Sequence, residues 1–281
     1  MASRNSERKT VQIKSHNTDF VTETDQQVEK LLMNGIKEVF PDHQFIGEEE
    51  TSEGKKVVLT DAPTWIIDPI DGTMNFVHSF PHSSISIALL VNKITEIGIV
   101  FNPVLSQKFT ARRGQGAFYN GTPMHVSTER DLSKALLMVE FGTNREEEKV
   151  KVIMENLGNL VRISHGYNSN NKSNYNLIGR LIDQTLKTLF IFRLRCLGGA
   201  VLNICMVALG ASEAAYDFGA HAWDYAAAEF LVREAGGVTL DPSGGTFDIM
   251  SRRLVVANSQ EMADQLISKL VQFYPKPRDD D

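Results

Sequence analysis

The 281-residue chain is poor in cysteine and tryptophan, with two of each, and it has no excess of positive charge. Cys196 and Cys205 lie nine positions apart in one apolar, helix-like stretch. Such a pair does not make a disulfide framework, and it favours a reducing compartment. Lys and Arg number 29 against 35 Asp and Glu, a net charge of −6, with a pI near 5.7. That balance argues against a broad nucleic-acid-binding face, which needs clustered cations. No apolar run approaches the roughly 18 residues of a membrane span, so a membrane-embedded chain is not expected. "MASRNSERKT" lacks the apolar segment of a secretory leader. No Ser or Cys stands in a recognisable nucleophile motif. The chain is therefore expected to be soluble and cytoplasmic. A small phosphorylated substrate stays open, because acidic sites bind phosphate through metal ions.

What is present is ordinary globular material: 42% hydrophobic and 23% charged residues. The first seventeen residues are polar and show no core pattern. "TDQQVEKLLMNGIKEVF" then spaces Val28, Leu31, Leu32, Ile36, Val39 and Phe40 as a helix, with Thr24 and Gln27 as its capping box. "KVVLTDAPTWIID" reads as strands around a turn at Pro63. "SSISIALLV", "ITEIGIVF" and "KFTARRGQGAFYNG" continue as strands, with tight turns at Asn92-Lys93 and Asn120-Gly121. Beyond about residue 130, helices alternate with short strands. The expectation is an α/β protein whose α+β first half (about 1–130) packs on an α/β second half (about 131–281). "YNSNNKSNYN" and the apolar stretch after it, about 167–192, read as an insertion.

The chemistry begins at "WIIDPIDGTMNF", residues 65–76. A strand ending at Asp68 would deliver that carboxylate to a sheet edge, since Pro69 cannot donate to a ladder. The turn lets the Ile70 carbonyl and the Asp71 carboxylate face the same point. Gly72 permits close backbone approach, and the N–H groups of Gly72 and Thr73 can receive an anion. Converging carboxylates and a carbonyl make a hard-oxygen site of the kind Mg²⁺ prefers. The plainer alternative is a solvated Asp-Pro turn with a helix cap. "FIGEEE" (45–50) places acids in a loop and could equally be a solvated charge run. Asp224 in "HAWDYAAAEFLVREAGG" stands at a helix start, where an acid is normal capping chemistry.

Taken together, "GEE", "WIIDPIDGTMNF" and "WDYAAAEFLVREAGG" resemble the inositol monophosphatase family, within the lithium-sensitive, magnesium-dependent phosphatases. "DFVTETDQQVEK", "GAFYNG" and "FDIMSRR" look like its animal members. The resemblance implies a layered αβαβα sandwich of the sugar-phosphatase type and hydrolysis of myo-inositol monophosphates. It implies Mg²⁺ as cofactor, Li⁺ inhibition, a role in inositol metabolism and phosphatidylinositol signalling, and a cytoplasmic homodimer. By the same resemblance Glu48, Asp68, the Ile70 carbonyl, Asp71 and Asp224 hold metal. Glu48 and Thr73 position the attacking water, with Asp25 bonded to the threonine. Asp71, Gly72, Thr73, Ala200, Asp217 and Asp224 contact the substrate. The alternatives are a related nucleotide or sugar bisphosphatase, or an impaired isoform acting as a binding protein.

Other residues read as structural. His221, three before Asp224, is expected to be a structural histidine, His78 and His82 at most to solvate the site, and Cys196 to be a small buried hydrophobe. Arg112-Arg113 is expected on a solvated hairpin, and the Phe and Met residues at helical spacing in the core. Asp217 stands where animal members often carry glutamate. By the same resemblance the family's usual first helix is expected to be missing, which would expose apolar surface.

Overall fold

A computed structural model describes residues 11–13, 20–163 and 193–281. The expected insertion and most of the polar N-terminal stretch lie outside the described residues. Strands β1 (Val11–Ile13) and β2 (Phe20–Thr22) pair antiparallel and lead into α1 (Glu23–Val39). A seven-stranded sheet follows in chain order: β3 (Gln44–Gly47), β4 (Thr64–Asp71), β5 (Ser84–Val91), β6 (Ile94–Asn102), β7 (Gln107–Arg112), β8 (Ala117–Tyr119) and β9 (Thr122–Met124). Only its β3–β4 pair is parallel. Two short helices interrupt it, α2 (Glu48–Ser52) and α3 (Thr73–Val77). At the expected hairpins, Asn92, Lys93, Asn120 and Gly121 all adopt positive φ, the backbone that matches strand twist.

The second half supplies β10 (Leu137–Val139), α4 (Glu147–Ile163), β11 (Leu194–Arg195), α5 (Ala200–Ala208), β12 (Ala214–Phe218), α6 (Ala222–Glu234), β13 (Val238–Leu240), β14 (Arg253–Ala257) and α7 (Gln260–Ile267). Its strands form a second sheet in the order β11-β10-β12-β14-β13.

Side-chain alternation stacks these elements into five layers. On β4, Trp65 and Ile67 face α1 with Met33, whereas Ile66 faces the central core formed with α5 and α6. On β12 and β14, Ala215, Leu254 and Val256 join that central core. Their neighbours Tyr216, Phe218, Val255 and Ala257 turn outward to Val152 and Leu160 of α4 and Met262 and Leu266 of α7. The order is thus α1, large sheet, α5 and α6, small sheet, α4 and α7: the expected αβαβα sandwich. The buried run Ala226-Ala227-Ala228 brings α6 close to β6, where a Cβ on Gly98 would lie 2.9 Å from the Ala227 carbonyl oxygen. No described helix is long and apolar enough to cross a membrane.

Several local expectations are corrected. Thr24 lies inside α1 rather than capping it. The buried line of α1 is Asp25, Glu29 and Met33, while Leu31 and Val39 are exposed, because the inner face serves polar partners as well as the core. Residues 55–63 carry no strand, and β4 runs through Pro69 to Asp71. The acids after Gly47 form a helix instead of a loop. Met154 on α4 is exposed.

Candidate active site

Every residue of β4 is buried, and its last turn sets the site. Asp68 pairs with Ser86 and Asp71 with Ser84, so three steps on β4 meet two on β5. This bulge, where Pro69 cannot donate, turns both carboxylates toward one cavity. The Ile70 N–H donates to Asp68 Oδ1 at 2.9 Å, fixing the turn. Gly72 follows at φ 77°, where a Cβ would lie 2.9 Å from the His82 carbonyl oxygen. Only glycine suits that left-handed, crowded position. Thr73 opens α3, its hydroxyl donating toward the Ile70 carbonyl at 3.1 Å and Asp25 Oδ1 at 3.4 Å.

Other elements deliver the remaining acids. Glu48 is the first residue of α2. That helix start is held by Glu29, whose carboxylate accepts from the Glu49 N–H at 2.9 Å and the Glu50 N–H at 3.0 Å. Asp224 sits in the first turn of α6 and accepts from the His221 N–H at 2.6 Å. Asp71 reaches across the chain to the start of α5, accepting from the Ala200 N–H at 3.0 Å and the Val201 N–H at 3.2 Å. Asp217 on β12 accepts at Oδ1 from the Ala220 N–H at 2.9 Å and the Tyr225 hydroxyl at 2.7 Å.

These residues wall a cavity of about 420 Å³. Glu48, Asp68, Ile70, Asp71, Gly72, Thr73, Ala200, Asp217 and Asp224 all line it, while Asp25 stands behind Thr73. Asp68, Asp71 and Asp224 bring carboxylate oxygens within 4.8 Å of one another. Burial pushes the Asp68 carboxyl well above the usual range, and Glu48, Asp224 and Asp71 push it further. Asp71 is raised by burial, then by Asp224 and Glu140, against the opposing Ala200 and Val201 N–H groups. Asp224 is pushed up to about 8, chiefly by burial, with Glu48, Asp217 and Asp279 adding to it. Buried like charges repel unless a cation joins them. An all-oxygen set this dense fits a hard divalent ion.

Three features of the site carried no sequence signal that was read. Glu140, after β10, accepts from the N–H groups of Leu197 (3.1 Å) and Gly198 (2.8 Å) and from Asn203 Nδ2 (2.5 Å). It thereby fixes the segment leading into α5. Asp279 near the C-terminus accepts from the Ala222 N–H at 2.7 Å and meets His221 Nδ1 at 2.6 Å, and the His221 ring stacks on Trp223. Glu29 could have been found from its i, i+4 spacing to Asp25 on α1. Cys196, expected buried, is exposed at the cavity wall, with its thiol donating to Glu140 Oε2 at 3.5 Å. His82 sits behind the wall, bonded to Asn203 at 3.2 Å.

The wider comparisons agree with this architecture. Human inositol monophosphatase 1 is 44% identical over 272 residues, 96% of this chain and 88% of the human protein. Among solved structures, the extragenic suppressor protein suhB of Bartonella henselae matches with TM-score 0.75 and 25% identity, covering 95% of this chain and 90% of that one. The IMPase of Thermotoga maritima matches with TM-score 0.70 and 28% identity, covering 92% and 86%. The family model described as the inositol monophosphatase family matches residues 1–275, and this chain belongs to that family.

Proposed function

We propose that the chain hydrolyses myo-inositol monophosphates to myo-inositol and phosphate, with Mg²⁺ as the working cation. The observation that carries this reading is the convergence of two buried carboxylates from β4 and a half-buried one from α6 beside the N-terminus of α3. Phosphate monoesters hydrolyse extremely slowly unaided, so the site must contribute charge stabilisation and positioning above all. Glu48, Asp68, the Ile70 carbonyl, Asp71 and Asp224 would hold the cations, which supply positive charge that acidifies water and stabilises the leaving oxygen.

The chain's own groups do the rest. The Thr73 hydroxyl reaches both the Ile70 carbonyl and Asp25, and were the carbonyl to help hold a cation, Asp25 would be the acceptor left for its proton. The lone pairs of that hydroxyl then face the cavity and, with Glu48, orient a water in line with the ester bond. The water oxygen bonds to phosphorus and gives up one proton, and the bond from phosphorus to the ring oxygen breaks with its electron pair going to that oxygen. The ring oxygen takes up one proton in return, so that the products are the polyol and inorganic phosphate. The N–H groups of Gly72 and Thr73 receive phosphate oxygens. Asp217, Asp224 and the backbone at Ala200 hold the ring hydroxyls. The same reading carries Li⁺ inhibition and a cytoplasmic homodimer, the dimer being checked by light scattering. Asp71→Asn tests the site: phosphate release from inositol 1-phosphate in Mg²⁺ should fall to background. Undiminished release would mean that Asp71 is misassigned. A panel including nucleotide and sugar bisphosphates separates the related activities.

A further inference from the structure

The cavity has a cationic neighbour that the acid-based chemistry does not use. Lys149 stands in the first turn of α4 and is 1% exposed. A buried ammonium there is opposed twice, by lost hydration and by the positive end of the helix dipole. Burial accordingly lowers its pKa, with Arg252 and Arg145 repelling it and Asp217 and Glu146 attracting it. Yet among the described residues Lys149 donates no hydrogen bond and forms no ion pair. A lysine buried at that cost, without a hydrogen-bond or ion-pair partner among the described residues, points to a partner that arrives with the ligand.

Its position says where that partner would be. A Cβ built on Gly142 or on Gly219 would lie 2.8 Å from Lys149 Nζ in either case. Both glycines line the cavity, and both have positive φ, 64° and 113°. Their missing side chains leave a slot between the β10–α4 and β12–α6 loops, and the ammonium fills it directly behind the cavity wall that the two glycines form. Asp217, whose charge attracts Lys149 without pairing with it, lines the same cavity. Its Oδ1 is taken by Ala220 and Tyr225, whereas Oδ2 accepts no hydrogen bond among the described residues. A donor and an acceptor are therefore held near each other but out of direct contact.

We propose that Lys149 is a specificity-determining residue: its ammonium and Asp217 Oδ2 together read one hydroxyl of the bound polyol. Nζ donates to the hydroxyl oxygen, and Oδ2 accepts the hydroxyl proton. A hydroxyl can do both at once, and a ring lacking it would leave two buried charges unpaired. This rests on the inositol-phosphate reading above.

Lys149→Met keeps the length of the side chain and removes the charge. Steady-state kinetics with Mg²⁺ should show kcat/KM for inositol 1-phosphate falling by about tenfold or more, mainly through KM. Turnover of p-nitrophenyl phosphate, which has no such hydroxyl, should stay within about twofold. Equal losses on both substrates, or no change on either, would overturn the assignment. A wild-type chain active on p-nitrophenyl phosphate but not on inositol 1-phosphate would overturn the substrate reading itself. Intact wild-type activity with an unchanged substrate ratio in the variant would overturn only the role of Lys149. Should the variant not fold, the wild type can be tested with the mono-deoxy inositol 1-phosphates. Loss concentrated at one ring position supports the pair, and uniform loss across the ring refutes it.

Discussion

Removing divalent cations from this protein should make its stability fall as pH rises. The Asp224 carboxyl is pushed up to about 8 in the folded chain, against an ordinary value of 3.8. Between those values the native state keeps a proton that the unfolded chain has released. Stability from this source is complete below about pH 4 and is lost as pH rises toward and through about 8. Each retained proton costs about 1.4 kcal/mol per pH unit across that window. An unfolding entropy of about 2.1 cal/mol/K per residue makes this about 2 °C of melting temperature per pH unit. Asp68 and Asp71, raised in the same direction, steepen the slope. His82 acts oppositely, since burial lowers its pKa, but only below its ordinary value of 6.5. The window from about pH 6.5 to 8 therefore lies clear of His82, and Lys149→Met removes the opposing lysine, whose pKa burial lowers from its ordinary value of 10.5. The assay is thermal denaturation in chelator and in excess Mg²⁺. At 100 times its dissociation constant the ion adds about 2.7 kcal/mol, or about 5 °C, with the gain growing with pH because only deprotonated carboxylates bind. Asp224→Asn should flatten the chelator slope. A melting temperature that is flat or rising from about pH 6.5 to 8 in chelator, or an Mg²⁺ shift no larger at the top of that range than at the bottom, would refute the reasoning.

Three further outcomes are expected. Glu29→Ala strips the acceptor from the Glu49 and Glu50 N–H groups, so stability should drop by about 1–2 kcal/mol in denaturant titration. Because Glu48 opens the same helix, the Mg²⁺ needed for half-maximal activity should rise as well. Glu140→Ala leaves the Leu197, Gly198 and Asn203 donors without their carboxylate, costing about 3 kcal/mol or more and raising KM, whereas Glu140→Gln should be far milder. Burial and Glu140 push the Cys196 thiol up to about 12, so iodoacetamide near neutral pH should leave both the thiol and the activity intact despite its exposure.

The layered architecture was legible because strand alternation and helix periodicity are local signals. β4 and β5 alternate plainly between two buried faces, and the hairpin turns carry residues that tolerate positive φ. Asp68, Asp71 and Asp224 stood out through their neighbours: proline and glycine mark a turn, and tryptophan with alanines marks a buried helix. Legibility failed where a residue's role depends on distant partners. The inner face of α1 carries Asp25 and Glu29 because Thr73 and the start of α2 need them, so the apolar pattern pointed to the wrong side. Glu140 and Asp279 look like solvated acids in sequence, and only folding across 57 and 58 positions gives them N–H and imidazole partners. Cys196 was misjudged for the same reason, since Glu140 turns it to the cavity wall. Lys149 looks like one more charge in "REEEKVK", and nothing local says that it is buried.

The most direct measurement is phosphate release from inositol 1-phosphate by the purified chain as Mg²⁺ is titrated in from full chelation. The account predicts background release without the ion, saturable turnover with it, and loss of that turnover in Asp71→Asn. Release that persists in chelator, or that never rises with Mg²⁺, would contradict the claim that these carboxylates work through a shared cation.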